Sequence, residues 1–112
     1  MYRFVDKPVI PIPKIRSVIA RSLPAGRLTL RVVAAQLDVS PRTLQRRLAD
    51  SNLTLTQLVN QTRIAKACQR LSQQDVHISA IARETGFATP SAFSRAFQSW
   101  TGTSPREFRK GL

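Results

Sequence analysis

Residues 40–49 read Ser-Pro-Arg-Thr-Leu-Gln-Arg-Arg-Leu-Ala, and residues 89–98 read Thr-Pro-Ser-Ala-Phe-Ser-Arg-Ala-Phe-Gln. The two stretches follow one pattern. Each opens on a hydroxyl residue followed by proline. The hydroxyl accepts a backbone N–H at a helix start, and proline suits the first helical position, where a missing N–H costs nothing. Each then places apolar side chains four apart, Leu44 and Leu48 in the first, Phe93 and Phe97 in the second. That spacing is the stripe of a half-buried helix. An arginine stands at the same point in both, Arg46 and Arg95.

Working outward, a shorter apolar pattern precedes each stretch. Thr29 caps Leu30, Val33, Ala34 and Leu37; His77 precedes Ile78, Ile81 and Ala82. The pairs Thr29-Leu30 and His77-Ile78 are 48 residues apart, whereas Ser40-Pro41 and Thr89-Pro90 are 49 apart. The second turn is therefore one residue longer. Asp38-Val39 makes the first turn, and Gly86 supplies the left-handed backbone that ends the second short helix. A short helix, a tight turn and a capped helix make a helix-turn-helix unit. A single unit resembles any helical hairpin, but two with matching caps, cores and arginines are far more specific.

The remaining chain is helical punctuation. From Lys14, Ile15, Ile19 and Ser22/Leu23 share one face, and Pro24-Ala25-Gly26 stops the segment. Thr54 and Gln57 have capping-box spacing and open a long helix to about Ser72, with Leu55, Leu58, Ile64, Ala67, Cys68 and Leu71 inward. Ser104-Pro105-Arg106-Glu107 opens a last short helix in the same way. Pro8, Pro11 and Pro13 mark residues 1–13 as an extended linker or terminal tail, without helix. No segment has strand periodicity. The expected architecture is all-α: a first helix-turn-helix subdomain over 14–53, a linker helix over 54–73 and a second subdomain over 74–112.

Charge narrows the function. Eighteen Lys+Arg against six Asp+Glu give a net charge of +12, which calls for a polyanion: DNA, RNA or an anionic membrane. Lysine occurs only at 7, 14, 66 and 110. Arginine's planar fork suits phosphate and guanine, which favours nucleic acid. The basic residues are spread over several capped helices, unlike a membrane-surface helix. The aromatic residues sit at core spacing rather than as the exposed stacking platforms of RNA binders. A non-specific polyanion or RNA-binding domain is the alternative reading. Enzymatic chemistry is not expected, because the chain has one histidine, His77, and one cysteine, Cys68, with neither a metal-ligand spacing nor a phosphate-cradling glycine loop. No cofactor or metal is expected. Cys68 reads as a small core residue. The N-terminus has no apolar signal core, and no apolar run approaches the ~20 residues of a membrane span, so the expected location is the cytoplasm, at the nucleoid.

At ~100° per residue, Leu44, Leu48 and Arg47 cluster on one side of the first capped helix. Arg42, Arg46 and Ala49 project opposite, flanked by Thr43 and Gln45. In the second, Ser91, Arg95 and Gln98 project opposite the phenylalanines, flanked by Ala92 and Ser94. The candidate base readers in a major groove are thus Arg42, Thr43, Gln45, Arg46, Ser91, Ser94, Arg95 and Gln98. Candidate phosphate contacts are Ser40 and Thr89 at the helix starts, with Arg47 and Arg31. For any one arginine, base and phosphate are about equally expected, since at least half of protein–DNA hydrogen bonds reach the backbone. No acidic residue occurs from Ser40 to Ala49 or from Thr85 to Arg106. A linker helix from Thr54 to Ser72 spans ~28 Å and, with its end loops, sets the recognition helices about one turn of B-DNA apart, ~34 Å.

These residues resemble the C-terminal DNA-binding domain of the AraC/XylS family of bacterial transcription regulators, over about residues 15–109. The most specific stretch holds Ile81-Ala82, Gly86-Phe87, Ser91, Phe93-Ser94-Arg95-Ala96-Phe97, Gly102, Ser104-Pro105 and Phe108-Arg109. Ala34, Leu37, Ser40-Pro41-Arg42-Thr43-Leu44, Arg46-Arg47, Arg63 and Ala67 add to it. The resemblance implies seven helices and binding to adjacent major grooves. It implies base readers at Arg42, Gln45 and Arg46, then Pro90, Ser91 and Arg95. Pro90 departs from the face argument, because it cannot hydrogen-bond a base edge. Asp38 stands where the family often has glycine. The resemblance further implies activation through RNA polymerase, and a small-molecule effector acting only through a separate N-terminal domain.

Overall fold

The computed structural model describes residues 10–112. Among them the chain forms seven α-helices and no strand: α1 Ile12–Ser22, α2 Leu30–Gln36, α3 Pro41–Asp50, α4 Leu55–Leu71, α5 Ile78–Glu84, α6 Pro90–Thr101 and α7 Pro105–Lys110, with a 3-10 turn at Leu23–Ala25 after α1. The caps form as the residue types require. Thr29, Ser40, Thr54, Thr89 and Ser104 each accept a hydrogen bond from the backbone N–H three residues on. Both capping boxes close, Thr54 with Gln57 and Ser104 with Glu107. His77 occupies the start of α5 without a side-chain cap bond.

The chain start differs from the proline reading. Helix α1 begins at Ile12, with Pro11 at the N-cap and Pro13 within the first turn. Proline there displaces no intrahelical bond, so it breaks a helix only further in. Ile10 is buried and belongs to the first core. The tail reading for residues 1–9 lies outside the described residues.

The repeat seen in the sequence recurs in the backbone. At the end of α2, Asp38 N–H donates to Ala35 and Val39 N–H to Ala34; at the end of α5, Gly86 N–H donates to Arg83 and Phe87 N–H to Ala82. The two turns share one geometry, with Asp38 at φ 59° and Gly86 at φ 93°. Asp tolerates that conformation, since its short polar side chain costs less there than most. Glycine at 86 meets a second demand: a Cβ there would lie 2.4 Å from the carbonyl oxygen of Leu23.

Two hydrophobic cores result. The first gathers Ile15, Val18, Ile19, Leu23, Val33, Ala34, Leu44, Leu48, Leu58 and Val59 with Ile10. The second gathers Ala67, Leu71, Ile81, Ala82, Phe93 and Phe97. Helix α4 serves both, giving Leu58 and Val59 to one and Ala67 and Leu71 to the other. Aromatic packing knits the second core: Phe93 and Phe97 lie 5.8 Å apart between ring centres, and Phe108 meets Phe97 edge-on at 5.5 Å. The half-buried Cys68 has its thiol pushed up by burial, which holds it in the unreactive protonated form. The principal extents are 58 × 23 × 22 Å, so the domain is elongated along one axis.

A forked ion pair joins α4 to α5. Arg70 Nε and Nη2 donate to Glu84 Oε1 and Oε2 at 2.8 and 3.0 Å. The Arg70 hydrogen bonds hold the Glu84 carboxyl below its ordinary range. The Ser104 backbone N–H does the same for Glu107, followed by the Ser104 hydroxyl. A depressed folded-state value stabilises at pH above the ordinary carboxylate range and stops doing so as pH falls through the depressed value. Urea midpoints measured between pH 7 and 3 should therefore fall with acidification. Glu84→Gln should lower the midpoint modestly at pH 7 and make the acid loss shallower. An unchanged slope would show that the pair contributes nothing to folding.

Candidate nucleic-acid interface

Two capped helices, α3 and α6, carry most of the candidate interface residues. In α3, Leu44 and Leu48 are fully buried, so the opposite face stands away from the first core. Arg42, Gln45 and Arg46 are exposed there, and no hydrogen bond or ion pair ties them to a described residue. In α6, Phe93 and Phe97 are buried, and Ser91 and Arg95 are exposed on the other side, again untied among the described residues. Arg46 and Arg95 thus occupy the same register on two equivalent helices. Neither face carries an acidic residue; Asp50 is the last residue of α3, and Glu84 is held by Arg70.

The other expected site residues sit less freely. Thr43 is half-buried, and its Oγ1 accepts from the Ser40 hydroxyl at 2.9 Å. Ser40 and Thr89 are exposed at the helix starts, with their oxygens accepting from Thr43 and Ala92 N–H. Ser94 is half-buried. Gln98 is exposed but donates its amide to the Gly102 carbonyl at 3.1 Å, closing the end of α6. Pro90 is an exposed first-turn residue, with no donor to offer. Arg31 is exposed at the start of α2.

Arg47 is directed inward, against the expectation of a phosphate contact. Its Nε donates to the Ile10 carbonyl at 2.6 Å and its Nη1 to Ser51 Oγ at 2.7 Å. The side chain is half-buried and pins the segment before α1 onto α3. Arg47 shares its side of α3 with Leu44 and Leu48 in the helical spacing, which signals an inward role. Arg109 acts similarly, donating to the Leu71 and Gln73 carbonyls at 3.0 and 3.1 Å, which satisfies the end of α4. Nothing in local sequence spacing points to this bond, because its partners lie 38 and 36 residues away.

Among the described residues no group of His, Cys, Asp and Glu could hold a metal ion, and no helix is long and apolar enough to cross a membrane. The arrangement offers two separated basic, hydrogen-bonding helix faces.

Comparison with known proteins agrees with this geometry. A helix-turn-helix domain family model matches residues 33–111. The chain is 40% identical over 89 residues to the HTH-type transcriptional regulator VirS of Mycobacterium tuberculosis, covering 80% of this chain and 26% of VirS. It is 34% identical over 95 residues to the transcriptional activator AggR of Escherichia coli, covering 85% of this chain and 36% of AggR. The chain thus spans about a quarter to a third of the length of these curated relatives. The C-terminal domain of AraT, a response regulator from Geobacillus stearothermophilus, superimposes with a TM-score of 0.76 at 31% identity, over 93% of this chain and 88% of that one. With two helix-turn-helix units, exposed basic recognition faces and relatives that are transcriptional regulators, the chain belongs to the AraC/XylS family, as its DNA-binding helix-turn-helix domain.

Proposed function

We propose that the domain binds duplex DNA as a monomer, with α3 and α6 in two successive major grooves, and that it serves as the DNA-reading part of a longer transcriptional activator. The observation that carries this reading is the pairing of Arg46 and Arg95, exposed at one register on two helices spaced by α4. Arg42, Gln45 and Arg46 read the first box, with Thr43 at its edge. Ser91 and Arg95 read the second, with Ser94 at the edge. Gln98, engaged by Gly102, has the smallest share. Arg31 and the helix starts at Ser40 and Thr89 grip phosphate. The second face has shorter polar side chains than the first, so its box carries less information. Activation is supported by the designation of AggR as an activator. It requires contact with RNA polymerase, and any small-molecule control acts through other parts of a longer protein.

Selection of bound duplexes from a random DNA pool, at near-physiological salt, tests the reading. Two enriched boxes about ten base pairs apart are expected, the α3 box the more sharply defined. A steep salt dependence with no enriched sequence would replace it with non-specific polyanion binding.

A further inference from the structure

The two units have separate buried cores and meet beside the middle of α4. Helix α4 gives its last buried residue of the first core at Val59 and its first of the second at Ala67. Arg63 lies between them. Its Nη2 donates to the Gly26 carbonyl of the first unit at 2.7 Å. Its guanidinium carbon sits 5.2 Å from the ring centre of Phe87 in the second unit. Beside it the backbones touch: a Cβ on Gly86 would lie 2.4 Å from the Leu23 oxygen and 3.3 Å from the Gly26 Cα.

The contact leads directly to the second recognition helix. Phe87 packs on Phe93 at 5.8 Å and on Trp100 at 5.9 Å, both in α6. On the other side, Leu23 is fully buried in the first core. Arg63 therefore bridges Gly26 of the first unit to Phe87, which packs on α6. Burial also lowers the proton affinity of this guanidinium, and its Nε is buried without a hydrogen-bond partner. Such a donor is costly, and the guanidinium offsets it by donating to Gly26 while its charge lies over the Phe87 ring.

We propose that Arg63 is a positioning residue for DNA reading: by clamping Gly26 to Phe87 it fixes the orientation of α6 relative to α3, and so the box spacing the domain accepts. The spacing half rests on the two-groove reading; the orientation half does not.

The test uses the 112-residue chain with Cys68→Ala and spin labels at Asp50→Cys and Ser99→Cys, both exposed positions at the recognition helices. Distances are measured without DNA. A single narrow distribution is expected for this background, and one at least about twice as broad for Arg63→Met, with Arg63→Lys between them. On DNA, the unaltered clamp should lose about 30-fold in affinity when five base pairs are inserted between the boxes. Arg63→Met should lose only about 3-fold, from an optimum about 10-fold weaker, with single-box affinity unchanged, as expected when a rigid link becomes loose. An equally narrow distribution in a folded Arg63→Met would overturn the proposal, as would equal loss on one-box and two-box DNA. If Arg63→Met does not fold, Phe87→Leu replaces it: broadening supports the clamp and its absence refutes it. If the parent shows no spacing preference, the two-groove reading fails, and the DNA-free distances still decide the role of Arg63.

Discussion

Phe97→Ala is expected to unfold the second helix-turn-helix unit while the first stays folded. Phe97 is fully buried, and the core it serves has only six buried residues, two of them alanines. Its ring contacts Phe93 and Phe108, so truncation opens a cavity beneath both α6 and α7. Phe→Ala changes in cores cost about 3–5 kcal/mol. Whole domains have about 5–15 kcal/mol to lose, and a unit of this size has far less, because small units bury a smaller fraction of their surface. Phe97 and the two rings it meets lie outside the first core, which keeps Leu58 and Val59 of α4. In an amide-correlation NMR spectrum, signals from residues 78–110 should collapse while those from 12–53 persist. Loss of all signals together would mean that α4 and the joint weld the units into one cooperative fold.

Arg46→Ala should act on recognition alone. The side chain is exposed and untied among the described residues, and surface changes of this kind shift stability by no more than about 0.5 kcal/mol. An arginine bidentate to guanine contributes about 1–3 kcal/mol of discrimination, roughly 5- to 150-fold in affinity. Titration of the variant against the selected duplex and its single-base substitutions should show the loss confined to one or two base pairs of the α3 box, where the variant no longer distinguishes bases. A uniform loss on every duplex, with a shallower salt slope, would reassign Arg46 to phosphate. The matched change, Arg95→Ala, should give the smaller effect.

The local grammar of this fold was legible because it is chemical. Hydroxyl caps, proline at first turns and apolar residues four apart placed α2 through α7 to within a residue or two. They also paired Ser40-Pro41 with Thr89-Pro90. The start of α1 was not legible: three prolines in six residues look like a helix ban until Pro13 is seen to fall in a first turn. Val59 also escaped, since its burial depends on how α1 crosses α4. Of the interface, what could be read was which residues lie opposite the buried stripe. Arg47, Arg63 and Arg109 look like members of the basic surface in a sequence count. Each instead donates to a backbone carbonyl more than thirty residues away. No periodicity encodes such bonds, because their partners are brought together only by tertiary packing. The net charge of +12 therefore overstates the number of cations available to DNA.

In the proposed binding mode, one copy of this domain reads two adjacent grooves. Hydroxyl-radical footprinting of the selected duplex, with binding stoichiometry measured on the same samples, tests it most directly. Two protected windows on one face of the duplex, about ten base pairs apart, at one protein per duplex, are predicted. A single window, or two windows that appear only at two proteins per duplex, would contradict it.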